Sequence, residues 1–371
     1  MKKVFFEEVT PQIWNSYCEE TNNASSRHSY YFLDYLEKSY NCKNMSFALI
    51  NEEKELLALC PIFIEKITIS GQTINSLSSG GGPVPLPALR NESNPSRHRK
   101  DLHAVFEAIH DICTRNNIER ASFVRYPFGA FSKKIEEVSI NVFDVLSVGY
   151  HPICYNSICI DLTLNEELLL NQLSKYHRKH IKRAEESGQV INIINKDCSI
   201  DLIIKEFESY EKAHIAASGR MTRPQASFDL MRDLIKLGYG ELFINKLNDI
   251  PISFLFCGSF GNQAFGWSQA NVKDFEKEYS PRHLLEWKAI LYYKKKGLKL
   301  YDVGIRYYNG QVAEWCNEKL LNISIFKERY GGMFLPTIYY ERFFNKNIFK
   351  EIWKTRLNEF ESNFFNSYNG S

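Results

Sequence analysis

The chain lacks any long hydrophobic run, although 44% of its 371 residues are hydrophobic. No apolar segment approaches the roughly 20 residues that a membrane-spanning helix needs. Glu7 and Glu8 interrupt the N-terminal region before a signal-peptide core can form. We therefore expect a cytoplasmic protein that at most contacts the inner face of a membrane.

Several catalytic motifs are also missing. The sequence contains no Gly-x-Ser-x-Gly, no Walker loop, no dinucleotide-binding glycine pattern and no His-Glu-x-x-His. The sequence therefore gives no motif support for a function as a hydrolase, an NTPase or a zinc protease. His177 and His180 are three residues apart on a predicted helix, but no second pair of ligands accompanies them, so we expect no metal site.

The sequence has little net charge and no paired cysteine pattern. Its 46 Lys and Arg residues nearly balance 44 Asp and Glu residues, which leaves a net charge of +2. This balance argues against a protein that coats nucleic acid, but it leaves room for a local basic patch. The nine cysteines are odd in number and scattered, which predicts reduced, buried thiols.

The order of predicted elements occurs twice along the chain. In each half, a helix is followed by two strands with a polar turn between them, then by a third strand, a long helix and a last strand. The first set comprises helix 29–38, strands 45–50, 56–66 and 73–77, a helix around 102–112 and a strand that ends at Arg125. The second set comprises helix 227–236, strands 241–247, 251–260 and 263–269, a helix around 284–291 and a strand that ends at Arg306.

This repeat predicts an α/β fold made of a duplicated domain, although many α/β proteins alternate helices and strands in a similar order. We expect a first domain at 1–155, a second domain at 156–338 and an aromatic, basic helical tail at 339–371. The second domain should open with a helix at 165–188. Segment 339–365 combines apolar residues at helical spacing with lysines, so it either packs on its own domain or contacts an anionic membrane.

Five cations lie within nine residues of the predicted opening helix: Lys175, Arg178, Lys179, Lys182 and Arg183. Like charges at helical spacing repel one another by a few tenths of a kcal/mol per pair. An anion would relieve this repulsion. The segment is therefore either a solvated helix face or a site for phosphate, diphosphate or RNA backbone.

The run Ser78-Ser79-Gly80-Gly81-Gly82-Pro83 follows a predicted strand. Consecutive glycines allow a sharp turn or the close approach of the backbone to a ligand. This segment is either an irregular connection or a binding loop.

A third candidate region extends from Tyr301 to Gly332. Asp302 and Arg306 alternate with apolar neighbours, as polar side chains do at the end of a strand that opens on a cleft. Lys327 lies between Phe326 and Glu328, just past the run Ile323 to Ile325, and precedes Tyr330-Gly331-Gly332. It either ends a strand in water or stabilises a developing oxyanion.

Five segments in a fixed order carry a resemblance to a known family. They are 181–188 (IKRAEESG), the turn Asn248-Asp249, 279–287 (YSPRHLLEW), 297–304 (GLKLYDVG) and 325–332 (IFKERYGG). Together they resemble the Fem family of peptidoglycan bridge aminoacyltransferases and related GNAT-like acyltransferases of bacterial envelope-sugar pathways. The resemblance is firmest over about residues 165–335.

The resemblance implies two tandem GNAT-like domains, each with a mixed central sheet flanked by helices. It implies transfer of an acyl or aminoacyl group from acyl-CoA or aminoacyl-tRNA to an amine of a bacterial envelope glycan or peptidoglycan precursor. The expected partner is a nucleotide-linked or lipid-linked sugar or peptide precursor, and tRNA is a further candidate. The alternative is a non-catalytic, degenerate GNAT-like module that binds a glycan or a nucleotide sugar.

The resemblance also assigns residues. Lys327 matches the Phe-Lys element whose lysine lies at the catalytic centre, and Asp302 in the Tyr-Asp element would be a base or an orienting group. The substrate-binding candidates are Arg178, Lys182, Arg183, Gly81, Gly82, Arg306 and Tyr279.

The sequence departs from the family pattern in two places. Residues 280–283 (SPRH) stand where ordinary acetyltransferases have a glycine-rich pyrophosphate loop. Gly188 ends the predicted helix 165–188, and no heptad repeat follows that would form the coiled-coil arm of some Fem enzymes. The choice between CoA and tRNA therefore stays open.

Overall fold

A computed structural model describes residues 1–21, 23–69, 71–90, 94–131 and 144–368. The chain divides into two units. Unit 1 comprises Met1–Asn156, Ile305–Ser324 and Pro336–Ser371, and unit 2 comprises Ser157–Gly304 and Ile325–Leu335. The domain boundaries drawn from the sequence stay a prediction; unit 1 differs from the predicted first domain because it also contains residues 305–324 and 336–371.

The helices and strands follow one another along the whole chain. The helices are α1 (Pro11–Glu19), α2 (Tyr30–Tyr40), α3 (Pro95–Arg115), α4 (Glu166–Gln172), α5 (Lys175–Glu186), α6 (Ile200–Ser218), α7 (Gln225–Leu237), α8 (Lys273–Tyr279), α9 (Pro281–Lys295), α10 (Glu318–Glu328) and α11 (Lys346–Tyr368). The first nine strands are β1 (Lys2–Phe5), β2 (Lys43–Asn44), β3 (Phe47–Ile50), β4 (Leu56–Cys60), β5 (Phe63–Ile69), β6 (Gln72–Leu77), β7 (Val84–Pro85), β8 (Ala88–Leu89) and β9 (Arg120–Arg125). The other strands are β10 (His151–Asp161), β11 (Val190–Ile194), β12 (Gly240–Leu247), β13 (Ile250–Phe260), β14 (Gln263–Asn271), β15 (Leu300–Arg306) and β16 (Met333–Phe343).

Unit 1 contains two sheets. One has the strand order β1-β3-β4-β8, and all of its pairs are antiparallel. The other follows the order β16-β9-β6-β5-β2, in which β6 and β9 are parallel. The short strand β7 also pairs with β9 in parallel.

Unit 2 is built on strands in the order β11-β12-β13-β14-β15-β10. The pairs from β11 to β14 are antiparallel, whereas β14 and β15 are parallel. Helix α9 packs on β12 and β13, and α5 packs on α9. Leu285, Tyr293 and Tyr301 are fully buried in the core that these elements share.

The predicted repeat is confirmed in the element order of both units. The hairpin β12-β13, the strand β14, the helix α9 and the strand β15 correspond to β3-β4, β6, α3 and β9. In both units, the strands on either side of the long helix are parallel neighbours. The fold is therefore mixed α/β, with a mixed sheet and flanking helices in each unit, as the sequence predicted.

Local chemistry explains why these elements begin and end where they do. The side chain of Ser29 caps α2, and that of Ser174 caps α5, because each hydroxyl accepts a hydrogen bond from a backbone N–H in the first turn. Asn248 and Asp249 have φ values of +49° and +65°, as a tight two-residue hairpin requires.

Two elements that the sequence predicted as continuous are each divided in the structure. The predicted helix 165–188 is divided into α4 and α5, because Leu173 adopts an extended conformation and Ser174 starts a new helix. The predicted strand 56–66 is divided into β4 and β5 at Pro61, which has no N–H to donate to a sheet.

The C-terminal tail is only in part the predicted helix. Residues 339–343 belong to β16, α11 begins at Lys346, and residues 369–371 lie outside the described part of the chain. Ile348 and Ile352 pack against Ile74, and the Arg356 guanidinium donates to Glu341 at 2.6 Å. This half of α11 therefore packs on unit 1.

Other apolar residues of α11 face solvent. Phe349, Leu357 and Phe365 are 37%, 54% and 55% exposed. Within residues 1–21, 23–69, 71–90, 94–131 and 144–368, no helix is long and apolar enough to cross a bilayer.

Candidate functional site

The parallel strands β14 and β15 stay paired for only a short distance. Their register comprises Gln263 with Leu300, Ala264 with Tyr301 and Phe265 with Asp302, although β14 continues to Asn271 and β15 to Arg306. We call the region beyond the last pair the strand junction. Unpaired strand edges present backbone N–H and C=O groups that an extended ligand can bind.

The corresponding position in unit 1 is filled by the chain itself. There β6 pairs with β9 through Ser76 and Leu77. The next segment of β9 then pairs with β7, so that Val84 lies opposite Phe123. Among the described residues, an open edge of this kind is therefore a property of unit 2.

Lys327 lies at the strand junction. It is in the last turn of α10, and its Nζ atom lies closer to the position of a Cβ atom on Gly304 than van der Waals contact allows. Gly304 has a φ of +119°, which L-residues with side chains rarely adopt. The glycine therefore makes room for the ammonium group against the backbone of β15.

Asp302 supports the same turn of backbone. Its Oδ1 atom accepts a hydrogen bond of 2.8 Å from the N–H of Gly304. The carboxylate thereby holds the residue against which Lys327 lies. The role of Asp302 as a base or an orienting group stays a prediction.

The structure also brings Glu286 and Tyr301 to the strand junction. The sequence analysis did not identify either residue as part of the site. Glu286 on α9 is 5% exposed, and its Oε1 atom accepts a hydrogen bond of 2.6 Å from the Tyr301 hydroxyl. A Cβ atom on Gly266, the residue after the last paired position of β14, would lie 3.3 Å from Oε1 and 3.1 Å from the Tyr301 hydroxyl oxygen. Both side chains therefore lie against the backbone of β14.

Burial raises the pKa of the Glu286 carboxyl group. The hydrogen bond from Tyr301 and the charges of Arg282 and Lys327 act in the opposite direction and favour the carboxylate. The sequence contained one signal for Glu286. Its acidic side chain lies among the apolar residues Leu284, Leu285 and Trp287, where a solvated carboxylate is not expected.

A cluster of rings fixes the turn that carries Lys327. Phe326 packs against His177 and His283, with ring centroids 4.9 and 5.0 Å away, and the Arg282 guanidinium lies 3.9 Å from the Phe326 ring centroid. Burial lowers the pKa of His177 to about 3 and that of His283 to about 4. The two imidazoles are therefore neutral at pH 7 and pack as aromatic rings between α5, α9 and α10.

Within residues 1–21, 23–69, 71–90, 94–131 and 144–368, no group of three His, Cys, Asp or Glu side chains is arranged to hold a metal ion.

The three predicted phosphate ligands of α5 have different surroundings. Arg178 donates to the carbonyl oxygens of Leu173 and Asn171, at 2.5 and 3.1 Å, and so caps the C-terminal end of α4. Lys182 and Arg183 are exposed, and Lys182 lies 3.7 Å from Glu186. Their role as phosphate ligands stays a prediction.

The glycine loop of unit 1 already surrounds a carboxylate. The N–H groups of Gly80 and Gly81 each donate to Glu65 at 2.9 Å. Gly82 instead pairs with Ser79, with hydrogen bonds of 3.0 and 3.1 Å. The loop is thus an anion-binding turn that is filled by the chain itself, and a substrate-binding role for Gly81 and Gly82 stays a prediction.

The two other predicted substrate ligands lie in different units. Arg306 belongs to unit 1, and its guanidinium contacts the Tyr307 carbonyl oxygen and lies 4.7 Å from the ring centroid of Tyr308. Tyr279 belongs to unit 2 and ends α8, where its carbonyl oxygen accepts a hydrogen bond of 2.9 Å from Gln189. A substrate-binding role for Arg306 and Tyr279 stays a prediction.

Comparisons with known proteins concern the domain family and the fold of the chain. Residues 171–311, which include the strand junction up to Gly304, match the family model described as an acetyltransferase (GNAT) domain. No curated protein sequence matches the chain.

Solved structures resemble the chain over nearly its whole length. FemX shares 13% identity at a TM-score of 0.67, with 95% of this chain and 100% of FemX covered. The C-terminal domain of a putative lysylphosphatidylglycerol synthetase from Agrobacterium fabrum shares 11% identity at a TM-score of 0.57, with coverages of 92% and 93%. L-PGS from Bacillus licheniformis shares 13% identity at a TM-score of 0.55, with coverages of 94% and 96%.

At identities of 11–13%, the structural similarity establishes the fold alone. The match to the domain model adds the chemical class, which is acyl transfer. The resemblance expected from the sequence is confirmed: residues 171–311 form a GNAT-type acetyltransferase domain in a chain with the FemX-like fold, and the protein is an N-acyltransferase.

Proposed function

We propose that the protein transfers an acyl or aminoacyl group from acyl-CoA or aminoacyl-tRNA to an amine of a bacterial envelope glycan or peptidoglycan precursor. One observation carries the proposal: the Lys327 ammonium group lies against Gly304 where β14 and β15 part. A carbonyl group held at this position would have a fixed cation beside its oxygen.

The proposed reaction is direct attack of the amine on the bound carbonyl carbon. Negative charge develops on the carbonyl oxygen, and Lys327 stabilises it there. The loss of one such group typically slows catalysis by about 10²–10³-fold. The unpaired edges of β14 and β15 would hold the donor in an extended form, so that the two reactants meet in the right orientation.

The choice of donor is narrowed by the start of α9. Ser280 has a φ of +47° and Pro281 is the first residue of the helix, so one backbone N–H that a glycine-rich turn would offer to a pyrophosphate is missing. One similar structure is the C-terminal domain of a putative lysylphosphatidylglycerol synthetase, whose name refers to a lipid that bears an aminoacyl group. Both points favour an aminoacyl donor and a lipid-linked acceptor.

The exposed part of α11 fits a lipid-linked acceptor. Phe349 and Leu357 are exposed beside Lys350 and Lys354, which are exposed as well. Apolar and basic side chains on one surface helix favour contact with an anionic membrane. We include this contact in the proposal.

The test is a mass-spectrometric assay with three donors, namely acetyl-CoA, a longer acyl-CoA and charged tRNA, against nucleotide-linked amino sugars and a lipid-linked peptide precursor. The wild-type protein should add the mass of one acyl or aminoacyl group to an acceptor. Lys327→Ala should reduce this transfer by about 10²–10³-fold, with a free energy of unfolding within about 1 kcal/mol of wild type.

Lys319→Ala is the matched control, since Lys319 is an exposed lysine on the same helix. It should transfer at the wild-type rate. A Lys327→Ala protein with full activity would refute the role of the lysine. Tight binding of a nucleotide sugar with no transfer from any donor would instead favour a non-catalytic glycan-binding module.

A further inference from the structure

Glu286 is a buried carboxyl group without an ion-pair partner. Its hydrogen bond comes from the Tyr301 hydroxyl, and within the part of the chain that the structure describes no Lys or Arg nitrogen lies within 4 Å of it. The other buried carboxylates in the described part of the chain are paired; Glu341, for instance, binds Arg120 and Arg356. Because an unpaired buried charge is costly, such a group is retained where it has a chemical task.

Glu286 and Lys327 lie at the strand junction against different strands. Glu286 lies against Gly266, one residue beyond the last pair on β14. Lys327 lies against Gly304, two residues beyond the last pair on β15. Their charges also interact, because Lys327 acts to lower the pKa of Glu286. An acid and a cation thus flank the point where the two strands part.

Other candidates for a base or a nucleophile near the junction are less suited. Asp302 already accepts a hydrogen bond from Gly304 through Oδ1. Burial raises the pKa of the thiols of Cys159 and Cys257 far above the normal value, so neither provides a thiolate at neutral pH. His177 is fully buried within the ring cluster.

We propose that Glu286, oriented by Tyr301, is the general base that takes the proton from the acceptor amine during acyl transfer. The inference rests on the proposed function and extends it, because it requires an acceptor that is an alkyl ammonium group in solution.

The acceptor enters as an alkyl ammonium group, and Glu286 takes one N–H proton from it, which leaves the neutral amine. The amine nitrogen then forms a C–N bond to the acyl carbon, while the C–S or C–O bond to the carrier breaks. A second N–H proton passes from this nitrogen to the departing thiolate or alkoxide, and the Glu286 carboxyl group releases its proton to solvent. Lys327 stabilises the oxygen of the tetrahedral intermediate, and no covalent enzyme intermediate or oxidant is needed.

The experiment compares two acceptors in one transfer assay with the full-length protein. An alkyl amine must lose a proton before it can attack, whereas hydroxylamine is already neutral at neutral pH. Glu286→Gln keeps the size of the side chain and should reduce transfer to the alkyl amine by about 10²–10⁴-fold. Transfer to hydroxylamine should stay close to the wild-type rate, which a merely structural role of Glu286 would not produce.

Two further variants keep the result interpretable. Lys327→Ala should slow both acceptors, because it acts on the carbonyl group. Tyr301→Phe removes a hydrogen bond that favours the carboxylate, so the acid limb of the pH profile for kcat/KM should move to higher pH. This second measurement is available even if Glu286→Gln does not fold.

The outcomes separate the two proposals. Equal loss with both acceptors in Glu286→Gln, or an unmoved acid limb in Tyr301→Phe, would overturn the assignment of Glu286 while leaving acyl transfer intact. Absence of transfer to either acceptor by the wild-type protein, from every donor, would instead overturn the proposed function.

Discussion

Gly304→Ala tests the geometry of the proposed site without removing any functional group. A methyl group at position 304 would overlap with the Nζ atom of Lys327, whereas ordinary van der Waals contacts begin at about 3.4 Å. The ammonium group must therefore move by on the order of 1 Å or more. A misplacement of about 1 Å can slow catalysis by about 10²-fold.

The substitution also strains the backbone, because Gly304 has a φ of +119°. We expect this strain to lower the free energy of unfolding by about 1–3 kcal/mol. Gly297→Ala is the matched control: Gly297 has a φ of +81°, and a Cβ atom there would have no other atom within 4 Å. Both variants should lose stability, but only Gly304→Ala should lose activity.

The assay combines urea unfolding with the transfer rate at saturating donor. Activity should fall by about 10²-fold in Gly304→Ala and remain near wild type in Gly297→Ala. If Gly304→Ala folds and transfers at the wild-type rate, the contact between residue 304 and Lys327 has no part in the reaction. Equal losses of activity in the two variants would attribute the effect to backbone strain alone.

Two further predictions concern pH and membranes. Because His177 and His283 have depressed pKa values of about 3 and about 4, the folded state resists their protonation and stability is lost as pH falls below about 6.5. The free energy of unfolding measured in urea should drop by up to about 1.4 kcal/mol per pH unit for each histidine, and a His177→Phe variant with an unchanged slope would contradict this. Leu357→Asp on α11 should weaken flotation with anionic vesicles, whereas Leu237→Asp, at a position 50% exposed on α7, should not. If the wild-type protein stays in the pellet, the proposed contact of α11 with an anionic membrane is wrong.

Some features of the site were accessible from the sequence, while others were not. Lys327 stood out because it lies between an apolar segment and a Gly-Gly pair, and it resembled a catalytic lysine. Glu286 was missed because the apolar residues beside it on α9 predicted a buried helix, and a helix pattern does not show which chemical group a buried carboxylate contacts. Arg178 was grouped with the other cations of its helix, yet in the structure it caps α4. Charge along a helix predicts a basic surface, but it does not reveal which side chain is already bound.

The amino-acid sequence by itself determined the order of helices and strands, because periodicity, capping residues and turn residues act over a few neighbouring positions. It also determined the repeat, including the tight turn at Asn248 and Asp249. Only the tertiary structure decided where β14 and β15 part and which side chains meet there. That meeting joins residues from 266 to 327, and contacts over such separations depend on strand register and helix packing rather than on local preference.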